Sequence, residues 1–121
     1  MKRALPLLAA AAASVAQPVL AQADAPLGIL PVGRYECSLP GDAGGPAWHA
    51  VPEMRFSIRS ASRYAGVDGD GTYLLRGDEL VFSRGPMKDH RFKRTGNFVL
   101  RQIEADGSIG RLRCIRSGPL E

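Results

Sequence analysis

From Met54 to Arg116 apolar side chains recur at alternate positions in short runs, and the runs stop at glycine, proline, aspartate or asparagine. Met54, Phe56 and Ile58 interleave with Arg55, Ser57 and Arg59, and Leu112 and Cys114 interleave with Arg111 and Arg113. A period of two belongs to a strand with one face in a core and the other in water, and it does not suit an amphipathic helix. Predicted strands are Gly33–Leu39, Met54–Ser60, Gly71–Leu75, Glu79–Arg84, His90–Arg94, Asn97–Glu104 and Ile109–Arg116. Between them lie a turn region over 61–70, a tight hairpin at Arg76-Gly77-Asp78, a stop at Gly85-Pro86, and a loop at Ala105-Asp106-Gly107-Ser108. Connections this short leave no room for crossover helices, so the strands pair antiparallel. The expectation is an all-β protein, a small antiparallel barrel or sandwich of six to seven short strands.

The start of the chain is of another kind. Lys2 and Arg3 precede an apolar stretch, Ala4–Ala16; Pro18 follows, and Ala21-Gln22-Ala23 offers small residues at a cleavage site. Residues 1–23 read as a secretory signal peptide, cleaved after Ala21 or Ala23. A membrane span needs about twenty apolar residues, and this stretch is shorter. The product is therefore expected in the periplasm or the medium, with no membrane span after cleavage. Residues 24–32 form a proline-punctuated lead-in, and 33–121 a single β domain. With the leader removed, fourteen basic residues face twelve acidic ones, a net charge of +2. That balance disfavours a strongly basic nucleic-acid binder.

Cys37 and Cys114 are the only two cysteines. An even pair in a small exported domain reads as a disulfide, here joining the first strand to the last. Neither C-x-x-C spacing nor histidines placed to share a metal with them are present, so no metal or cofactor is expected. Asp68-Gly69-Asp70-Gly71 has the opening of a calcium loop but no glycine at Tyr73, and it reads as a Gly/Asp turn.

The pattern Gly33-x-Tyr35-x-Cys37, Gly71-x-Tyr73-x-Leu75-x-Gly77, Leu80-x-Phe82-x-x-Gly85-Pro86 and Arg113-Cys114 resembles small secreted proteobacterial β-domain proteins of unknown function. The Gly-x-Tyr element is also loosely similar to lipocalin-like barrels. The resemblance implies an exported β domain and carries no catalytic residues with it.

Two groups of residues are candidates for binding. Lys88, Arg91, Lys93 and Arg94 crowd a seven-residue segment, with Arg91 and Lys93 on one face of the predicted strand and Phe92 and Arg94 on the other. The cluster reads either as a charged edge strand that blocks aggregation or as a surface for an anionic partner. Trp48 and His49 stand in a long loop, Pro40–Pro52, where the indole serves either as a plug on the core or as a stacking platform. The outward Arg34, Arg55 and Arg59 follow an arginine-rich composition, thirteen Arg to three Lys.

His49 and His90 are the only imidazoles, and no nucleophile elbow, zinc-protease motif or phosphate loop is present. The chain thus reads as a non-enzymatic, monomeric module of the periplasm, binding or interacting with the envelope. Its partner would be an acidic envelope component or, alternatively, a small apolar or lipid-like ligand held among Tyr35, Met54, Phe56, Ile58, Leu80 and Phe82. A translation-type or nucleic-acid-binding β-barrel conflicts with the leader, and nucleic acid is not expected.

Overall fold

The computed structural model describes residues 27–120. The leader and the first residues of the lead-in lie outside that range. Ten strands occur in it: β1 (Leu27–Gly28), β2 (Gly33–Pro40), β3 (Trp48–Ala50), β4 (Phe56–Ser60), β5 (Arg63–Gly66), β6 (Gly69–Arg76), β7 (Glu79–Arg84), β8 (Arg91–Gly96), β9 (Val99–Ile103) and β10 (Ile109–Gly118). Eight of them form a ring. From β4 to β10 each strand pairs antiparallel with the next, β4 also pairs with β2, and β10 returns to β2 to close an up-and-down barrel. β1 adds to β6, and β3 adds to β2 beyond the reach of β4.

The all-β class, the antiparallel pairing and the disulfide match the reading of the sequence, and closure makes the fold a barrel. The strand count is higher for local reasons. Arg63–Gly66, read as part of a turn region, forms β5 because Ala61-Ser62 and Val67-Asp68 each suffice for a reversal. Ser62 takes a positive φ of 70° at the first of these. Met54 is not the first residue of a strand: Pro52–Met54 is a 3₁₀ turn, and β4 starts at Phe56. The segment His90–Arg94 is not an edge. As β8 it pairs with β7 on one side and β9 on the other, so in the closed ring it has no unpaired side to protect.

An eight-stranded barrel has an interior just wide enough to be filled by side chains, and this one is filled by rings. Tyr35 stacks on Phe56 with centroids 5.2 Å apart, Phe56 meets Phe82 edge-on at 5.1 Å, and Tyr64 meets Phe82 edge-on at 4.6 Å. Phe92 closes the group against Phe82 at 5.9 Å. Leu30, Ile58, Tyr73, Leu75, Leu80 and Leu100 are buried around them. Leu30 belongs to the lead-in, and its N–H donates to the Tyr73 hydroxyl at 3.2 Å. The segment before β2 therefore contributes to the core.

Each buried phenol finds a polar partner at the barrel's rim, as a buried hydroxyl must. Tyr64 Oη donates to the Arg84 carbonyl at 2.8 Å and accepts from the Met87 N–H at 3.0 Å, which pins the turn between β7 and β8. Around that hydroxyl only glycine fits. A Cβ on Gly85, where φ is +96°, would lie 2.7 Å from it, and one on Gly71 would lie 2.0 Å from the Arg84 carbonyl oxygen. The Gly71 and Gly85-Pro86 elements of the sequence pattern thus serve one tyrosine lock.

Cys114 stands directly opposite Cys37 in the β10–β2 register, and their disulfide spans 77 positions of chain. Closing a loop of that length in the unfolded state is worth about 4–5 kcal/mol on the chain-entropy model. A Cys37→Ser, Cys114→Ser variant is expected to unfold at a clearly lower urea concentration, by a free energy of that order. Tyr35 allows a second check. Burial pushes its phenol up to about 12, against the downward pull of the Arg116 guanidinium, and its O–H donates to the Pro31 carbonyl at 2.9 Å. The folded state keeps the phenol neutral after the unfolded chain has ionised. Its contribution to stability is therefore complete below about pH 10 and is lost as pH rises towards about 12. Denaturation midpoints across that window should fall less steeply for Tyr35→Phe than for the wild type.

Candidate functional site

β8, β9 and β10 are adjacent in the barrel, and together they carry Arg91, Lys93, Arg94, Arg101, Arg111, Arg113 and Arg116 without a single carboxylate. Strand alternation sorts these seven. Phe92, Leu100, Leu112 and Cys114 are buried. The residues between them, Arg91, Lys93, Arg101, Arg111 and Arg113, therefore project outward. Register then aligns three of them: Lys93 stands opposite Arg101, and Arg101 opposite Arg113. Directly opposed cross-strand side chains are separated by about 5 Å at Cβ, and like charges there destabilise a sheet. A surface serving stability alone would intersperse acids in such a row.

The acids nearby are used elsewhere. Glu79 is opposite Lys93 in the register, yet its carboxylate takes Arg91 Nη1 at 3.2 Å. Asp78 is 3.9 Å from Arg94 Nε, and Asp89 is 3.4 Å from Lys88 Nζ. Among the described residues no carboxylate lies within ion-pair distance of Lys93, Arg101, Arg111 or Arg113. Arg101 is held in place by the Gly110 carbonyl, to which Nη2 donates at 2.8 Å and Nε at 3.3 Å. Its charge is fixed in position without being neutralised.

Arg113 is placed by Trp48. The Arg113 guanidinium carbon lies 3.4 Å from the centre of the indole, so the two planar groups are in van der Waals contact. Arg113 Nε is shut away from solvent without a hydrogen-bond partner. Trp48 reaches this position because β3 pairs with β2, Trp48 opposite Pro40 and Ala50 opposite Ser38, while Ser38 stands opposite Arg113 on its other side. The row Arg113–Arg101–Lys93 runs perpendicular to the strands and ends against Glu79, while Trp48, two residues along β3 from Ala50, meets it only through the Arg113 side chain. Trp48 retains 41% of its surface accessible.

Beyond Lys93 a groove of ≈ 540 Å³ continues over the β6–β7 hairpin, lined by Leu74 and Val81 and by the mixed charges of Arg76, Asp78, Glu79 and Lys93. A second cleft of ≈ 400 Å³ lies on the far side of β2, between Arg34, Glu36, Arg55 and Val67. Its charges are mixed as well, and Arg34 donates to the Pro119 carbonyl at 3.1 Å.

The four clustered cations of the sequence are therefore split. Arg91 and Lys93 lie on the outer face, as expected from the alternation. Arg94 shares the parity of Phe92 and sits near the barrel end beside Asp78, and Lys88 lies in the turn before β8. Trp48 and His49 are not in a loop. The turn proper is Gly41–Ala47, closed by a hydrogen bond from Gly41 N–H to the Ala47 carbonyl at 2.8 Å. As neighbours on β3 they point to opposite faces, so the indole and imidazole do not form one site. Nor does Trp48 plug the core. Arg101 and Arg113 were missed as site residues, since only register aligns them with Lys93: the β8–β9 pairing for Arg101, and the β9–β10 pairing, interrupted by a bulge between Ile109 and Arg113, for Arg113. Asp68 and Asp70 occupy the β5–β6 hairpin, and no group of three metal-ligating side chains occurs among the described residues. No helix there is long and apolar enough to cross a membrane.

No protein-family model, curated protein or solved structure matches this chain. What the face can do follows from its chemistry: fixed guanidinium and ammonium groups attract anions, and guanidinium pairs carboxylate, sulfate or phosphate in two-pronged fashion. The stack itself can be checked through the fluorescence of Trp48, the only tryptophan in the chain. Arg113→Ala should raise its quenching by acrylamide while costing about 1–2 kcal/mol of stability, the scale of a partly desolvated cation–π contact.

Proposed function

We propose that this protein is an exported, non-catalytic β-barrel that binds an acidic component of the cell envelope through the outer face of β8, β9 and β10. The observation that carries the proposal is the alignment of Lys93, Arg101 and Arg113, three opposed cations without a carboxylate among them. The leader read in residues 1–23 supplies the compartment, and the disulfide at the barrel seam suits an oxidising one. The alternative, a ligand held inside a mini-barrel, has the ring packing against it. Tyr35, Phe56 and Phe82, which would line the cavity, are 2% exposed or less and fill the interior by contact with one another.

Co-sedimentation with an isolated envelope fraction tests the proposal. The wild type should pellet at low ionic strength and be released near 1 M salt, where the screening length is only about 3 Å. A Lys93→Glu, Arg113→Glu variant should remain in the supernatant. Arg59→Glu, a single charge reversal on β4, should pellet like the wild type. Retention of the double variant in the pellet would remove the outer face as the binding surface.

A further inference from the structure

We infer that this protein forms a two-fold dimer by strand addition, the free edge of β3 pairing antiparallel with β3 of a second copy. The inference is independent of the anion-binding reading, since the cations of β8, β9 and β10 lie on the other side of β2 from that edge.

β3 stands outside the closed ring and pairs on one side only, with β2. The ladder fixes which of its backbone groups are spent. Gly41 N–H donates to the Ala47 carbonyl at 2.8 Å, and Val51 N–H donates to the Cys37 carbonyl at 2.9 Å. Bonded pairs alternate in an antiparallel ladder, so His49 bonds to Leu39, while Trp48 and Ala50 turn their N–H and C=O groups away from β2. Pro40, opposite Trp48, has no N–H to offer and agrees with that phase. All of β3 is exposed. The edge presents donors and acceptors in strand order, and another extended backbone is what matches them.

A second copy matches them about a two-fold axis at His49. Trp48 of each chain then stands opposite Ala50 of the other, each such pair exchanging both of its hydrogen bonds. Bulky meets small: the indole, one face already taken by Arg113, has only a methyl group across from it. The His49 imidazole packs back on its own turn, where a Cβ on Gly41 would lie 2.9 Å from its Nε2. β3 carries no Lys, Arg, Asp or Glu, so the charges that guard natural edges are missing.

The surroundings of the edge fit the same partner. β3 and β4 lie end to end along one side of β2, and β5 covers only β4. The second copy's β3 therefore enters in line with β5, and its Gly41–Ala47 turn points at the ≈ 400 Å³ cleft beside Arg55 and Val67. His49 and Phe56 are opposite Leu39 and Tyr35, so the stretch to be covered is about 13 Å of strand. Val67, 49% exposed, gives the incoming turn an apolar floor. That turn carries Asp42. Among the described residues neither Asp42 nor Arg55 lies within ion-pair distance of an opposite charge, and the two-fold brings Asp42 of each copy towards Arg55 of the other. Glu36, the acid of the cleft, stands with Arg34 on the far wall, on β2.

Sedimentation velocity of the purified protein over a concentration series tests the inference. The wild type should show a reversible equilibrium between monomer and dimer, in place of the monomer expected from the sequence. Ala50→Pro removes an N–H that points away from β2, so the monomer should keep its ladder and unfold near the wild-type urea concentration. Its dimer should be weaker by about tenfold or more, because the two-fold doubles the loss. Asp42→Arg or Arg55→Asp alone should weaken the dimer severalfold, and the two together should restore it.

A wild type that sediments as a monomer throughout overturns the inference. If a short peptide of alternating threonine and valine then changes the Trp48 emission of the wild type but not of Ala50→Pro, the edge takes foreign strands and not its own copy. A dimer that Ala50→Pro leaves intact rests on another surface and removes β3 from it. A double charge variant no better than the single ones removes the contact between Asp42 and Arg55, and with it this two-fold.

Discussion

The pairing of β10 with β2 is the contact on which the rest of the structure depends. The other neighbour relations in the barrel join strands consecutive around the ring through short turns, except that β2 reaches β4 by way of β3 and the 3₁₀ turn. The β10–β2 pairing joins the two ends of the domain, and its loop-closure cost in the unfolded chain is correspondingly large. Cys37 and Cys114 face one another at that seam and lock it covalently. Closure removes the free sides that an open sheet would leave at β2 and β10. It also encloses the aromatic group: Tyr35 on β2 stacks on Phe56 of β4, which in turn meets Phe82 and Phe92 from across the barrel.

A packed interior moves the question of function to the outside. In a barrel this small, side chains consume the lumen, and what remains variable is the outward half of each strand. There the distribution of charge is uneven. The charged residues of three consecutive strands are all cations, and Asp78, Glu79 and Asp89 at the margin of the face are engaged with Arg94, Arg91 and Lys88. The sheet tolerates opposed like charges at some cost in stability. Such a cost is intelligible where a partner supplies the missing anions. The Arg113–Trp48 stack and the double donation from Arg101 to Gly110 hold two of the cations in place beforehand. Binding then requires less ordering of long flexible side chains.

Much of this architecture could be read from local chemistry. Period-two runs located most strands, because alternation records which side of a pleat is wet. The outward placement of Arg91 and Lys93 and the inward placement of Phe92 follow from the same parity. Where local chemistry misled, the cause was a competing local rule. Proline at 52 starts a 3₁₀ turn that takes Met54 out of the strand it seemed to open. Glycine and proline between 40 and 52 suggested an irregular loop, yet a single tight reversal at Gly41–Ala47 leaves Trp48–Ala50 free to pair with β2. Tyr64 gave no signal because its segment is only four residues long and its two hydrogen-bond partners lie twenty and twenty-three positions further on.

By itself the sequence determined the class of the fold, the antiparallel sense of its pairing and the partners of its one disulfide. Alternation and turn residues act over a few positions, and a chain with two cysteines has one internal bridge to make. Closure into a ring, the filling of the interior by Phe56, Phe82, Phe92 and Tyr64, and the row Lys93–Arg101–Arg113 under Trp48 were decided only in three dimensions. Each depends on register between strands, and register is a property of pairs. A shift of one residue in β9 would have turned Arg101 inward and left Lys93 opposite a different side chain.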